Sequence, residues 1–233
     1  MDIEENVRII RKNIAEAAHK SGHHASDVTL IGVTKNVNVS RIRTLIKTGV
    51  THLGENRAQE FLPKYVELYG DSPVWHFIGH LQRNKVKKII DKVCMIHSVD
   101  SYDLAVEINE RAKAIHRKID ILIEINIADE ASKQGILPDK AKIFSEQLFD
   151  LPNIRLRGLM CVPPFVENGE ENRLFFRKMR NLGVDIFGTR CYDSVTPQQT
   201  PFELSMGMSG DYTVAIEEGA TMVRVGTALV GGR

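Results

Sequence analysis

The chain has 233 residues, 42% hydrophobic and 26% charged, the composition of an ordinary globular protein rather than of a disordered or collagen-like one. Thirty-one Lys and Arg against thirty Asp and Glu leave a formal charge of +1, which removes the electrostatic case for a nucleic-acid or anionic-membrane partner. Cys94, Cys161 and Cys191 share no CxxC or metal-ligand spacing, so neither a disulfide framework nor a thiolate zinc site is expected, and reduced thiols in the cytoplasm are.

In chain order, the first twenty residues, MDIEENVRIIRKNIAEAAHK, interrupt every apolar run with charge, unlike a secretory signal. Ile3, Val7, Ile10, Ile14, Ala17 and Ala18 recur there at helical spacing and predict an amphipathic leading helix. Runs rich in β-branched residues then alternate with helical patterns, at 28–33, 50–53, 74–78, 93–97, 119–127, 154–160, 202–206 and 222–225. Near-continuous apolar runs such as IDILIEINI predict parallel strands covered on both faces. Ser40, Ser101 and Pro138 stand where intervening helices would begin. Eight such units predict one α/β domain over 1–233, a (β/α)8 TIM barrel with an extra N-terminal helix. The stretch FGTRCYDSVTPQQTP, 187–201, carries two prolines and reads as a long surface loop after the seventh helix. No stretch reaches the ~20 apolar residues that a membrane-spanning helix needs.

Barrels of this kind place their sites at the carboxyl ends of the strands, often with phosphate on the loops after strands seven and eight. Those loops here read SMGMSGD and VRVGTALVGG, where Gly207, Ser209, Gly210, Gly226 and Thr227 offer open backbone amides and two hydroxyls to an anion. Glycines that only permit tight turns are the alternative. Lys35 follows the first strand, and a neutral amine at the mouth can form an imine with an aldehyde. An amine and a phosphate cradle at one mouth together suit a phosphorylated aldehyde. Arg224 lies within the last apolar strand and needs an acceptor, either a structural ion pair or a ring nitrogen; its donors-only guanidinium would disfavour a protonated ring. His76 and His80 lack the helix and Glu of an HExxH site, so no metal is expected. Trp75 reads as barrel packing, and Arg83, Lys85, Lys87 and Lys88 read as a solvated helix face.

Taken together, Lys35, the stretch Gly54, Glu55, Asn56, Arg57, Gln59 and Glu60, the run HFIGHLQRNK, and LSMGMSGD with VRVGTAL resemble the pyridoxal phosphate homeostasis proteins, the YggS/PROSC family, whose fold is similar to the N-terminal barrel of alanine racemase. The resemblance spans essentially the whole chain. It implies a fold-type III barrel with pyridoxal 5'-phosphate bound as a Schiff base on Lys35. It further implies phosphate contacts from Ser209, Gly226 and Thr227, Arg224 facing the pyridine nitrogen, and Asn56, His76, Ser205 and Met206 lining the pocket. Where relatives continue after the lysine with a polar or basic residue and proline, this chain reads Asn36, Val37, Asn38, and the second lysine is missing.

The resemblance implies a non-catalytic, cytoplasmic carrier, a monomer, whose partners are pyridoxal phosphate and the enzymes that accept it. The alternative is an amino-acid racemase, which needs a base on each face of the substrate. For the second base the candidate phenols are Tyr102, Tyr192 and Tyr212. A third reading is a Schiff-base aldolase with Glu55 beside Lys35.

Overall fold

The computed structural model describes residues 2–130, 133–188 and 202–231. It opens with helix α1 (Ile3–Lys20), whose first turn is capped by the Asp2 carboxylate accepting from the Glu4 amide at 3.0 Å. Among the described residues eight strands and eight further helices follow: β1 (Thr29–Val33), α2 (Val39–Lys47), β2 (His52–Glu55), α3 (Ala58–Glu67), β3 (Val74–Phe77), α4 (Arg83–Ile89), β4 (Met95–Val99), α5 (Tyr102–Ala114), β5 (Ile119–Ile125), α6 (Ala141–Phe149), β6 (Ile154–Cys161), α7 (Arg173–Phe187), β7 (Glu203–Ser205), α8 (Tyr212–Glu217), β8 (Met222–Val225) and α9 (Thr227–Val230). Every strand pairs in parallel with its sequence neighbours, and β1 closes on β8 through Thr29 to Gly32 against Met222 to Val225. The expected (β/α)8 barrel is therefore the fold, extra helix included.

The strand periodicity divides the core in two. Residues facing outward, such as Leu53, Trp75, Phe77, Ile96, Ile121 and Leu204, merge with the buried faces of the helices into one large apolar layer. Trp75 packs there, edge-on to Phe61 with ring centroids 5.3 Å apart. Inward-facing Ile31, Met95, Leu122, Met160 and Met222 form a small apolar plug inside the barrel. The six inward positions of α1 predicted from spacing are all buried. That helix lies across the β1–β8 seam against α8 and α9, with Asn6 Nδ2 donating to the Leu229 carbonyl at 3.0 Å and Asn13 Nδ2 to Tyr212 Oη at 2.9 Å.

Several strand bounds differ from the expected runs by one or two residues, as in β4, Met95–Val99 against 93–97; for the second strand the reason is physical. The second strand begins two residues later than the apolar run 50–53: Val50 packs on the outer side of Gly32 beside Leu45. The strand instead runs to Glu55, fully buried because Lys64 is there to pair with it. The predicted 187–201 loop starts on the last residue of α7, Phe187, and from 189 onward lies outside the described residues, as do Cys191 and Tyr192. Along α4, Arg83, Lys87 and Lys88 face solvent and Lys85 is half-buried, as a solvated face requires. Among the described residues no helix is long and apolar enough to cross a membrane.

Candidate functional site

At the carboxyl ends of β1, β6, β7 and β8 lies a cavity of about 690 Å³. Lys35, Ser209, Arg224, Gly226 and Thr227 all line it, alongside Arg41, Asn172 and the apolar Phe165. The two glycine-containing turns converge. Ser209 Oγ, from the β7–α8 turn, accepts from the Gly226 amide at 3.4 Å and the Ala228 amide at 3.3 Å at the end of β8. Gly207 makes its turn possible: its φ is +90°, and a Cβ there would stand 2.6 Å from the Ala215 Cβ.

Lys35 sits two residues past β1, exposed, in a turn whose neighbours are held tightly. Asn36 takes a left-handed φ of 58° and donates its amide to Glu60 Oε2 at 2.9 Å. Asn38 caps α2, its side-chain oxygen accepting from the Arg41 amide at 3.0 Å. Asn is among the residues best suited to both roles, so the Asn36-Val37-Asn38 departure has a local structural account. Beneath the turn, Thr34 Oγ1 donates to Glu55 Oε1 at 2.7 Å, and Lys64 Nζ donates to the same oxygen at 2.6 Å and to the Thr34 carbonyl at 2.7 Å.

Arg224 projects inward from β8 and is buried with no carboxylate in contact among the described residues. Its Nη1 donates to the Ser205 carbonyl at 2.6 Å and to Ser205 Oγ at 2.8 Å; its Nη2 donates to the Cys161 carbonyl at 2.8 Å. From Ser205 a column of rings descends through the barrel: His97 Nδ1 is 2.9 Å from Ser205 Oγ, His76 Nδ1 2.9 Å from His97 Nε2, and His52 Nδ1 2.9 Å from His76 Nε2. Because Arg224 can only donate, the Ser205 hydroxyl is free to donate onward to His97. Each neutral imidazole then passes its Nε2–H to the next Nδ1, in one direction. Burial holds the rings neutral: desolvation pushes His76 down to about 3 and, with the neighbouring His76 and Arg224 charges, takes His97 well below the usual histidine range. On β5, Glu124 shares the inward face of Leu122. Desolvation first, then the charge of Asp100, raises its carboxyl to about 7 against the opposing pull of Arg224 and His80.

Asn56, His76, Ser205 and Met206, expected to line the pocket, are not among the residues that line this cavity. His76 and Ser205 lie a layer beneath, in the ring column; Met206 faces outward into the helix layer and is fully buried. Asn56 packs its backbone against Gly79, and its Oδ1 is buried without a partner among the described residues. His80 parts from His76 and meets Asp100 at 3.2 Å on the surface. Of the phenols, Tyr212 bonds Asn13 across the α1 seam and Tyr102 starts α5, so neither lines the cavity. The residues that sequence reasoning missed are Lys64, Glu124, His52 and His97. For the last three the signal was a polar residue recurring at inward positions of successive apolar strands, as in His52, His76 and His97, whereas Lys64, on α3, had none.

The residues present fit a phosphorylated aldehyde: an exposed amine, a buried guanidinium bonded only to neutral acceptors, and a hydroxyl flanked by two backbone amides share one cavity. This barrel and its mouth define the alanine racemase N-terminal class, whose family model, "Alanine racemase, N-terminal domain", matches residues 6–233. A pyridoxal phosphate homeostasis protein of Aquifex aeolicus is 43% identical over 229 residues, covering 98% of this chain and 97% of the relative. The protein of that name from Escherichia coli K12 is 35% identical, covering 100% of this chain and 97% of its own. A structure of PipY from Synechococcus elongatus PCC7942 with PLP bound superposes with a TM-score of 0.83 at 32% identity, covering 99% of this chain and 100% of PipY. The chain belongs to the pyridoxal phosphate homeostasis protein family.

Proposed function

We propose that this chain binds pyridoxal 5'-phosphate as a Schiff base on Lys35 and serves in the cytoplasm as a monomeric, non-catalytic carrier that exchanges the cofactor with amines or with accepting enzymes. The observation that carries this reading is the meeting of Ser209 Oγ with the Gly226 and Ala228 amides in the cavity that Lys35 also lines. When bound, the cofactor supplies an aldehyde carbon that condenses with a primary amine, the carbonyl oxygen leaving as water. Lys35 provides that amine, and its exposure leaves the linkage open to incoming amines. Ser209, Gly226 and Thr227 would hold the phosphate, and Arg224 would donate to the ring nitrogen. A guanidinium there keeps that nitrogen unprotonated, which suits holding the cofactor better than the carbanion chemistry a racemase needs. The PLP bound in the PipY structure, at 32% identity over nearly the full chain, supports the same reading.

The test is reduction of the loaded protein with borohydride followed by peptide mapping. The wild type is expected to be yellow and to carry the reduced adduct on the peptide containing Lys35, whereas Lys35→Ala is expected to be colourless and to carry none. A reducible adduct of equal yield on another lysine in Lys35→Ala overturns the assignment.

A further inference from the structure

We propose that Glu60 and Lys64, on the outer helix α3, are positioning residues that hold the Lys35 turn so that its amine is aimed into the cavity; this rests on the role given to Lys35 above. The turn depends on such support. Asn36 is held at φ 58°, a left-handed conformation that Asn tolerates better than most residues but that its hydrogen-bond partners must still select. The peptide groups on either side of Lys35 are both tied to one helix: the Thr34 carbonyl accepts from Lys64 Nζ at 2.7 Å, and the Asn36 amide donates to Glu60 Oε2 at 2.9 Å. The two helix residues are themselves 3.7 Å apart, one turn from each other. Below them the buried Glu55 carboxylate takes both Lys64 Nζ and Thr34 Oγ1 on a single oxygen.

Lys35, by contrast, has no hydrogen-bond or ion-pair partner for its own ammonium among the described residues. Nothing at the tip of the side chain orients it, so the direction of its approach comes from the backbone. The backbone is set by α3, which does not line the cavity. A clamp of this kind acts on one event only: the amine nitrogen bonding the aldehyde carbon as water departs. It leaves the phosphate contacts, at the ends of β7 and β8, to other side chains and amides.

That separation provides the test. Pyridoxine 5'-phosphate carries an alcohol in place of the aldehyde, so it engages the phosphate wall without bonding Lys35. Glu60→Ala removes the acceptor for the Asn36 amide while sparing the buried Glu55–Lys64 pair; Lys64→Met removes the other tie. Each is expected to weaken pyridoxal phosphate binding and slow borohydride-trappable adduct formation about tenfold, on the scale of a small misplacement of a reacting group. Pyridoxine 5'-phosphate affinity is expected to stay within about twofold, on the same argument. Glu60→Gln, which keeps an acceptor oxygen, is expected to behave as wild type. Equal loss of both ligands in Glu60→Ala, or no loss of either, overturns the proposal, and Glu60→Ala decides the matter alone if Lys64→Met, with Glu55 left buried and unpaired, does not fold. A wild type that binds both ligands equally and traps nothing on Lys35 refutes the role of Lys35 itself, a result distinct from that of the α3 variants.

Discussion

Glu124 is an acid with its charge partly suppressed. Its folded carboxyl titrates near 7 because burial and Asp100 outweigh Arg224 and His80, whereas in the unfolded chain it titrates near 4.5. The folded state therefore holds the extra proton between those values, and the stability this lends is present below pH 4.5 and lost as pH rises through 7. A tenfold change in an ionisation equilibrium is worth about 1.4 kcal/mol, so the loss reaches about 3 kcal/mol at most. Glu124→Gln, which cannot ionise, is expected to match the wild type near pH 5 and to exceed its thermal stability at pH 8; parallel melting curves across that range would contradict the assignment. The buried rings work in the opposite sense. His76 titrates near 3 when folded, so its contribution is whole above the unfolded histidine value of about 6.5 and is lost as pH falls toward 3. Measured as the slope of stability between pH 6.5 and 4, His76→Gln is expected to flatten the acid limb.

At the level of elements, the short α8 and α9 matter through the turns that start them. Ser209 and Thr227 belong to turns from different strands and share one cavity only because β7 and β8 are neighbours in register, Ser205 opposite Met222. Replacing both, Ser209→Ala with Thr227→Val, is expected to weaken binding of pyridoxine 5'-phosphate by about a hundredfold or more, the scale of losing two hydrogen bonds to a charged group. Near-UV circular dichroism should be unchanged, and unaltered affinity would place the phosphate elsewhere. These turns were readable in the sequence because glycine, serine and threonine after an apolar strand announce both a tight bend and an anion site. The α3 clamp was not. Glu60 stood out only as part of a shared stretch and Lys64 not at all, because only the parallel pairing of β1 with β2, Val33 opposite Gly54, brings that helix to the lysine turn.

For the whole molecule, the eight strands and the leading helix were legible because parallel strands covered on both faces leave dense apolar runs. The barrel interior was less so, since an inward His97 and an outward Ile96 occupy adjacent positions in one strand and spacing alone does not say which faces the axis. Lys35 stood out as the polar residue just past an apolar strand; Arg224 stood out as a charge inside one. Neither announced its partners, because Ser205 and Cys161 reach Arg224 through the closure of the sheet.

The closure of β1 on β8 sets an order of events during synthesis. Lys35 emerges from the ribosome early, whereas Gly226 and Thr227 emerge roughly 190 residues later, a delay of about 10 to 40 s at ordinary elongation rates. Under the proposed Schiff base on Lys35, a nascent chain whose β8 has not docked would present an amine without the Ser209 and Gly226 turns beside it, and any aldehyde linkage would hydrolyse freely. On the proposed roles of Lys35 and Ser209, cofactor capture waits until β8 has docked and closed the barrel.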